Sequence, residues 1–135
     1  ILLTMQDEMG DIVAPTALIN AAETYNKMGS IDRWVIESVL KWMSEHRSRL
    51  DDFGGFAIHV SGHSLNEITF SDFVLEQFAE TQGPTSKVCF EITETAAIAN
   101  LDNAIDFMNR MRIIGCTFSL DDFGTGLSSY SYLRN

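Results

Sequence analysis

The sequence predicts an α/β fold in which helices connect the strands of a parallel sheet. Short, apolar, β-rich segments alternate along the chain with longer segments of helical periodicity, which is typical of crossover connections between parallel strands. The inner strand segments do not alternate strictly between apolar and polar residues, as expected for strands that are covered on both faces. With 135 residues and 45% hydrophobic content, the chain can form the packed core of one domain or of part of one.

Nine segments in turn indicate a strand or a helix. They are a strand at residues 1–6, helices at 16–28 and 30–50, a strand at 56–60, a helix at 70–80, a strand at 88–92, a helix at 100–115, a strand at 117–120 and the start of a helix at 127–133. The helices are predicted by apolar residues at three- and four-residue spacing. Gly29 is expected to end the first helix and Ser30 to cap the second, whereas Gly83-Pro84 ends the third. The strands are short and rich in β-branched or aromatic residues.

Composition limits the classes of function. A formal net charge of -10 argues against a nonspecific DNA or RNA binder, which needs a basic face, but metal cations could bridge acidic groups to an anionic ligand. Cys89 and Cys116 lie in apolar segments and favour buried free thiols in a reducing compartment. No apolar run is long enough to span a bilayer, and no signal peptide is recognisable, so we expect a cytoplasmic location. The longer protein could still be attached to a membrane. A start on ILLTM without an initiator Met predicts a fragment of a longer protein.

Three consecutive predicted strands each end in residues that can bind a metal. The first runs into His59, the second into Glu91, and the third into Asp121 and Asp122. In a parallel α/β barrel the C-terminal strand ends meet at one mouth, where such enzymes place their chemistry. Oxygen-rich sites suit Mg²⁺ or Mn²⁺, and paired metals suit phosphoryl chemistry. The sequence therefore predicts a divalent metal site at this mouth.

The acids at the strand ends, and two glycines that follow the last of them, also have simpler structural explanations. Asp121 could cap the N-terminus of a helix while Asp122 is solvated. Glu91 could be an ordinary charge at a solvated strand end. Gly124 and Gly126 could only supply backbone angles that other residues avoid. The metal interpretation is favoured because these acids arrive at the same edge of one sheet.

Two segments together carry a longer signature. EITET at residues 91–95 and DDFGTGLSS at 121–129 resemble the EAL domain of bacterial cyclic di-GMP signalling proteins. The resemblance covers the whole chain, because ILLTM is similar to the family's Glu-x-Leu-Leu-Arg strand and FAIHVSGHSL to its Asn-x-Ser strand. It implies a TIM-like (β/α)₈ barrel of which about half is present. Residues 1–135 would then be an EAL domain fragment that lacks the Glu of the name motif and the C-terminal half.

The resemblance implies an activity and a set of metal ligands. Family members are metal-dependent phosphodiesterases that linearise cyclic di-GMP to pGpG with two divalent cations, Mg²⁺ or Mn²⁺. By position, Glu91 and Asp121 are similar to metal ligands, and Asp122 to a ligand of the second metal or of the attacking water. These three acids are the catalytic candidates. His59 stands at the position of the family's metal-binding Asn.

The same resemblance assigns supporting residues. Glu94 is similar to the residue that steadies the DFGTG loop, in which Gly124 and Gly126 lie. Leu2 and Thr4 lie in the strand that contacts substrate. Family members are commonly fused to GGDEF or sensory domains. An exposed sheet edge in a half barrel also predicts association into a homodimer or a swapped assembly.

Two departures from the family leave the activity open. Thr4 replaces an Arg, which removes a bidentate phosphate contact. His59 replaces an amide, and imidazole suits Mn²⁺ or Zn²⁺ better than Mg²⁺. The first hypothesis is a cyclic di-GMP phosphodiesterase, and the second is a degenerate domain that binds cyclic di-GMP or a protein partner without hydrolysis. A generic metal phosphohydrolase is a third hypothesis, which differs from the first only in substrate.

Overall fold

The computed structural model describes residues 5–121, with only the backbone described for Asp121. In chain order the elements are β1 (Met5–Gln6), β2 (Ile12–Val13), α1 (Pro15–Thr24), α2 (Met28–Glu45), β3 (Phe56–His59), α3 (Gly62–Leu65), α4 (Phe70–Thr81), β4 (Val88–Thr93), α5 (Glu94–Ala99), α6 (Leu101–Ile113) and β5 (Thr117–Asp121), with short 3₁₀ helices at Arg47–Asp52 and Thr85–Lys87. The predicted α/β class is confirmed. Some predictions concern residues outside this range, namely those for Leu2, Thr4, Asp122, Gly124, Gly126 and the helix at 127–133.

Three strands form the parallel sheet that the sequence predicts. Their order is β3-β4-β5, so strands that are consecutive along this part of the chain are also neighbours in space. Ile58 pairs with Phe90, and Phe90 pairs with Phe118. Helices connect each pair of strands, as parallel neighbours require. Because all three strands run the same way, their C-terminal ends lie along one edge of the sheet.

One face of this sheet packs against the helices and forms the core. Ile58, Phe90 and Ile92 are fully buried on this face. Phe107 of α6 is buried in the middle, with its ring centre 5.4 Å from that of Phe90 and 5.8 Å from that of Phe118. Buried and more exposed residues alternate along β4, so the other face carries polar side chains, and the expectation that both faces are covered is wrong for the sheet as described.

The boundary between the first two helices differs from the prediction. The first helix ends at Thr24 and α2 already begins at Met28, so Gly29 does not end a helix and Ser30 is not a cap. The chain turns instead at Asn26, which has a left-handed φ of 58°. Gly29 is buried in the first turn of α2, where a Cβ atom would collide with the carboxylate of Glu67. Its function is therefore close packing.

The N-terminal part of the described chain is a hairpin. β1 pairs with β2 in an antiparallel arrangement, and the Asp7 side chain accepts hydrogen bonds from the backbone N–H groups of Met9 and Asp11. Gly10 has a positive φ of 86°, which a residue without a side chain adopts readily. Met5–Gln6 is a strand, as predicted for residues 1–6, but it belongs to this antiparallel hairpin and not to the parallel sheet. No helix among residues 5–121 is both long and apolar enough to cross a membrane.

Candidate functional site

The polar face of the sheet is the face that points away from the helices. We define it by the side chains that alternate with the core residues of β3, β4 and β5, namely Ala57, His59, Cys89, Glu91, Thr93, Thr117 and Ser119. His59, Thr117 and Ser119 are exposed, whereas Glu91 and Thr93 are half-buried. Strand alternation produces this face, because each of its residues lies between two that pack into the core.

Strand register brings two predicted ligands together on the polar face. The Cα atom of His59 pairs with that of Glu91, and Glu91 in turn pairs with Ser119. Neighbouring strands of a sheet lie about 4.8 Å apart, so the His59 and Glu91 side chains start from adjacent positions. Two residues further along β4, Thr93 pairs with Asp121 at the C-terminal edge of the sheet. His59 and Glu91 thus lie side by side, and the backbone of Asp121 lies beside the residue two positions further along β4. Three of the four predicted ligand positions are therefore close together in the sheet.

The donor set on the polar face fits a divalent cation in part. His59 offers a nitrogen ligand and Glu91 an oxygen ligand, a combination that suits Mn²⁺. Among the described side chains, no group of three or more His, Cys, Asp or Glu residues could hold a metal. The remaining predicted ligands, Asp122 and the side chain of Asp121, are not among the residues that the structure describes. His59 and Glu91 therefore fit as two members of a larger set.

The end of β4 passes directly into a short helix. The Thr93 hydroxyl accepts a hydrogen bond from the backbone N–H of Ala96 at 3.1 Å and so caps the N-terminus of α5. Glu94 is the first residue of α5 and is fully buried. A carboxylate in the first turn of a helix is also favoured by the helix dipole. Glu94 is thus held inside the protein, whereas Glu91 lies on the polar face.

A buried polar cluster, which was not predicted from the sequence, lies directly after His59. Asp32 of α2 is only 4% exposed. Its Oδ2 atom accepts hydrogen bonds from the backbone N–H of Ser61 at 2.9 Å and from the hydroxyls of Ser61 and Ser64 at 2.6 Å each. One pattern in the sequence could have revealed it. Asp32 falls on the same helical face as the fully buried Ile36 and Leu40, where a charged residue needs partners.

The two cysteines differ in their environments. Cys116 is buried, and this burial, together with a smaller contribution from Cys89, raises the pKa of its thiol to about 12. Cys89 is half-buried on the polar face, two residues before Glu91. Both thiols are free, as the sequence predicts.

The parallel sheet, its helix layer and the polar residues at the C-terminal strand ends define an α/β domain of the barrel type. A family model described as "EAL domain" matches residues 1–135, and the chain belongs to this family. The solved EAL domain of FimX from Pseudomonas aeruginosa, bound to c-di-GMP, aligns with a TM-score of 0.85 at 24% identity. The alignment covers 98% of this chain and 52% of that one. The predicted fold is therefore confirmed as a partial TIM-like barrel with an open sheet.

Curated relatives are similar over the same length. The chain is 38% identical over 134 residues to "Cyclic di-GMP phosphodiesterase PdeB" of Shewanella oneidensis, covering 99% of this chain and 16% of that protein. It is 34% identical over 135 residues to "Cyclic di-GMP phosphodiesterase PdeF" of Escherichia coli, covering 100% of this chain and 18% of that protein. The chain thus spans about a sixth of the length of these relatives.

Proposed function

We propose that this chain is part of an EAL domain that acts in cyclic di-GMP signalling and hydrolyses cyclic di-GMP to linear pGpG with two divalent cations. The main support is the register of β3, β4 and β5, which brings His59, Glu91 and the backbone of Asp121 to one edge of the sheet. Relatives with the same segment are named cyclic di-GMP phosphodiesterases. Residues 1–135 would form the first half of the barrel, and the 135-residue chain alone is expected to be inactive.

The proposed roles follow from these positions. Glu91, His59, Asp121 and Asp122 would hold the cations. When bound, paired divalent cations activate water and offset charge on the phosphodiester. β3 and β4 pair in one register, so the His59 and Glu91 side chains would approach a bound cation from the same face of the sheet. Glu94 is buried at the start of α5, where it could steady a neighbouring loop without touching substrate.

The remaining proposed roles concern the substrate and the loop. Leu2 and Thr4 would contact cyclic di-GMP from the first strand of the complete barrel. Gly124 and Gly126 would allow the loop after β5 to adopt its backbone angles. These four residues lie outside the described range, so their roles are supported by sequence position alone.

A receptor without hydrolysis is the second candidate. It is favoured by His59 at the position of a family amide and by Thr4 at the position of a family Arg. The first change alters the metal preference, and the second removes a phosphate contact. Such a domain would bind cyclic di-GMP and pass the signal to a protein partner.

An activity assay on the complete EAL domain distinguishes these functions. The domain is incubated with cyclic di-GMP and either Mg²⁺ or Mn²⁺, and pGpG is followed by chromatography. For a phosphodiesterase we expect product with at least one metal, loss of product in Glu91→Gln, and retained product in the matched control Glu76→Gln, which changes an exposed residue of α4. Binding of cyclic di-GMP without product under either condition would instead establish the receptor.

A further inference from the structure

Asp32 joins helix α2 to the segment that directly follows His59. The carboxylate accepts from Ser61, which continues the chain two residues after His59, and from Ser64, which lies in α3. Asp32 is buried, so it does not belong to the polar face on which a metal or phosphate would bind. Its three hydrogen bonds therefore need an explanation other than ligand contact.

The backbone after His59 is fixed at two successive residues. The N–H of Val60 donates to the carbonyl oxygen of Glu91 at 2.9 Å, which extends the contact between β3 and β4 beyond the last strand residue. The N–H of the next residue, Ser61, donates to Asp32 at 2.9 Å. Ile58 and Val60, on either side of His59, are both fully buried. These constraints leave the His59 side chain on the polar face beside Glu91.

The cluster also sets the geometry of α3. The Ser61 hydroxyl donates to Asp32 and accepts from the backbone N–H of Ser64 at 3.2 Å, so it caps α3 while it is held by α2. Charged acceptors form stronger hydrogen bonds than neutral ones, and the buried site has few competing waters. A single side chain of α2 thus fixes both the end of β3 and the start of α3.

We propose that Asp32 is a positioning residue that fixes the end of β3 so that His59 is presented to the same cation as Glu91. The inference rests on the proposed function in one respect, namely that His59 and Glu91 bind a divalent cation. Asp32 acts through the Ser61 backbone and contacts neither the cation nor the substrate. Its loss should therefore weaken metal binding more than the loss of an equally close link that does not reach β3.

The chain offers such a matched link at the next residue. Arg33 joins the same helix to the loop after α3 through an ion pair with Glu67 at 2.9 Å and a hydrogen bond to the Thr69 hydroxyl at 3.1 Å. Both of these contacts are on the surface. Arg33→Gln therefore removes a tether between similar parts of the chain but leaves the backbone beside His59 untouched.

The first test measures Mn²⁺ affinity in the complete EAL domain, from the electron paramagnetic resonance signal of free Mn²⁺, alongside thermal midpoints. We expect Asp32→Asn to weaken Mn²⁺ binding about tenfold, the lower end of the effect of changing a group that orients a metal ligand. Arg33→Gln should leave the affinity unchanged even if it lowers the thermal midpoint as much. Equal Mn²⁺ affinity in Asp32→Asn and the unmodified domain would overturn the proposal. If Asp32→Asn does not fold, Ser61→Ala replaces it; it removes one of the two hydrogen bonds by which Asp32 holds the end of β3, so we expect a smaller loss of Mn²⁺ affinity, and an unchanged affinity would again overturn the proposal.

A second test separates this inference from the proposed function. If the unmodified domain binds no Mn²⁺, the proposed metal site is wrong, but the orientation of His59 can still be observed. The imidazole Cε1–Hε1 resonance, assigned with His59→Asn, should shift or split in Asp32→Asn and stay in place in Arg33→Gln. A resonance that is the same in all three proteins would refute the positioning role whatever the metal result.

Discussion

Replacing Phe107 by Ala should cause a large loss of stability, because this residue connects the helix layer to two strands of the site. Its ring contacts Phe70 of α4 at 5.5 Å between centres, Phe90 of β4 at 5.4 Å and Phe118 of β5 at 5.8 Å. Phe107 is 1% exposed, so nearly the whole side chain would leave a cavity. The strands that it supports are those that present Glu91 and Asp121.

The magnitude follows from the burial and the ring contacts. Truncation of a buried Phe to Ala costs about 3–5 kcal/mol of unfolding free energy. Each favourable ring pair adds about 0.5–1.5 kcal/mol beyond area burial, and Phe107 makes three. We therefore expect a loss near the upper end, about 4–5 kcal/mol. That is a large part of the total stability of a typical domain, which is about 5–15 kcal/mol.

Urea unfolding of the complete EAL domain, followed by the fluorescence of Trp34 and Trp42, measures this loss. Phe107→Leu is the graded variant and should lose less, because it retains most of the apolar volume. Asn109→Ala is the control on the exposed side of the same helix, and its effect should stay within about 0.7 kcal/mol. A loss below about 1.5 kcal/mol for Phe107→Ala would refute the reasoning, because it would mean that the aromatic cluster does not form as described.

Four further predictions address the site and the thiols. In an active complete domain, His59→Asn should raise the rate of pGpG formation with Mg²⁺ relative to Mn²⁺, because an amide oxygen suits the harder ion; an unchanged ratio would argue against His59 as a ligand. Thr93→Ala should lower the unfolding free energy by about 1 kcal/mol through loss of the α5 cap, and Thr93→Ser should restore it, as urea titrations can check. At pH 8 a thiol reagent should modify Cys89 faster than Cys116, which is buried and has a pKa raised to about 12. The neutral thiol of Cys116 is favoured in the folded state, so its contribution to stability is present below its ordinary pKa of 9.0 and declines as the pH rises toward 12. The Cys116→Ala variant lacks this group. Its thermal midpoint should therefore fall less over that pH range than the midpoint of the unmodified domain.

Much of the fold could be predicted because local pattern and tertiary role agree. β3, β4 and β5 were predictable from short apolar runs, and α4 and α6 from helical spacing. The four-residue α3 and six-residue α5 were missed because such short helices show no full period of apolar residues. Gly29 was misjudged because a glycine that permits close packing looks the same in sequence as one that ends a helix.

The candidate site likewise contains positions that could be predicted from the sequence and one residue, Asp32, whose partners could not. The placement of His59, Glu91 and Asp121 at one edge of the sheet could be predicted from the sequence, because each follows an apolar run and the ends of parallel strands lie along one edge. Asp32 could not be assigned its partners, because Ser61 and Ser64 are 29 and 32 residues away along the chain. Only the packing of α2 beside the end of β3 brings them together. A charged residue on an apolar helix face predicts that a buried partner exists but does not identify that partner.

Because of the position of His59, the two proposed functions are best distinguished by the metal that the domain uses. Its neighbours Ile58 and Val60 are buried, and the carbonyl of Glu91 holds the N–H of Val60, so the ring cannot leave the polar face without disrupting the sheet. Under the proposed function, an imidazole in place of the family's amide would change a metal ligand while the β3–β4 register is kept. A domain with a preserved fold can therefore lose hydrolysis with Mg²⁺, keep it with Mn²⁺, or keep only the binding of cyclic di-GMP. If His59 is a ligand as proposed, its side chain, held in place by the β3–β4 register, and Thr4 at the position of the family's Arg together decide among these outcomes.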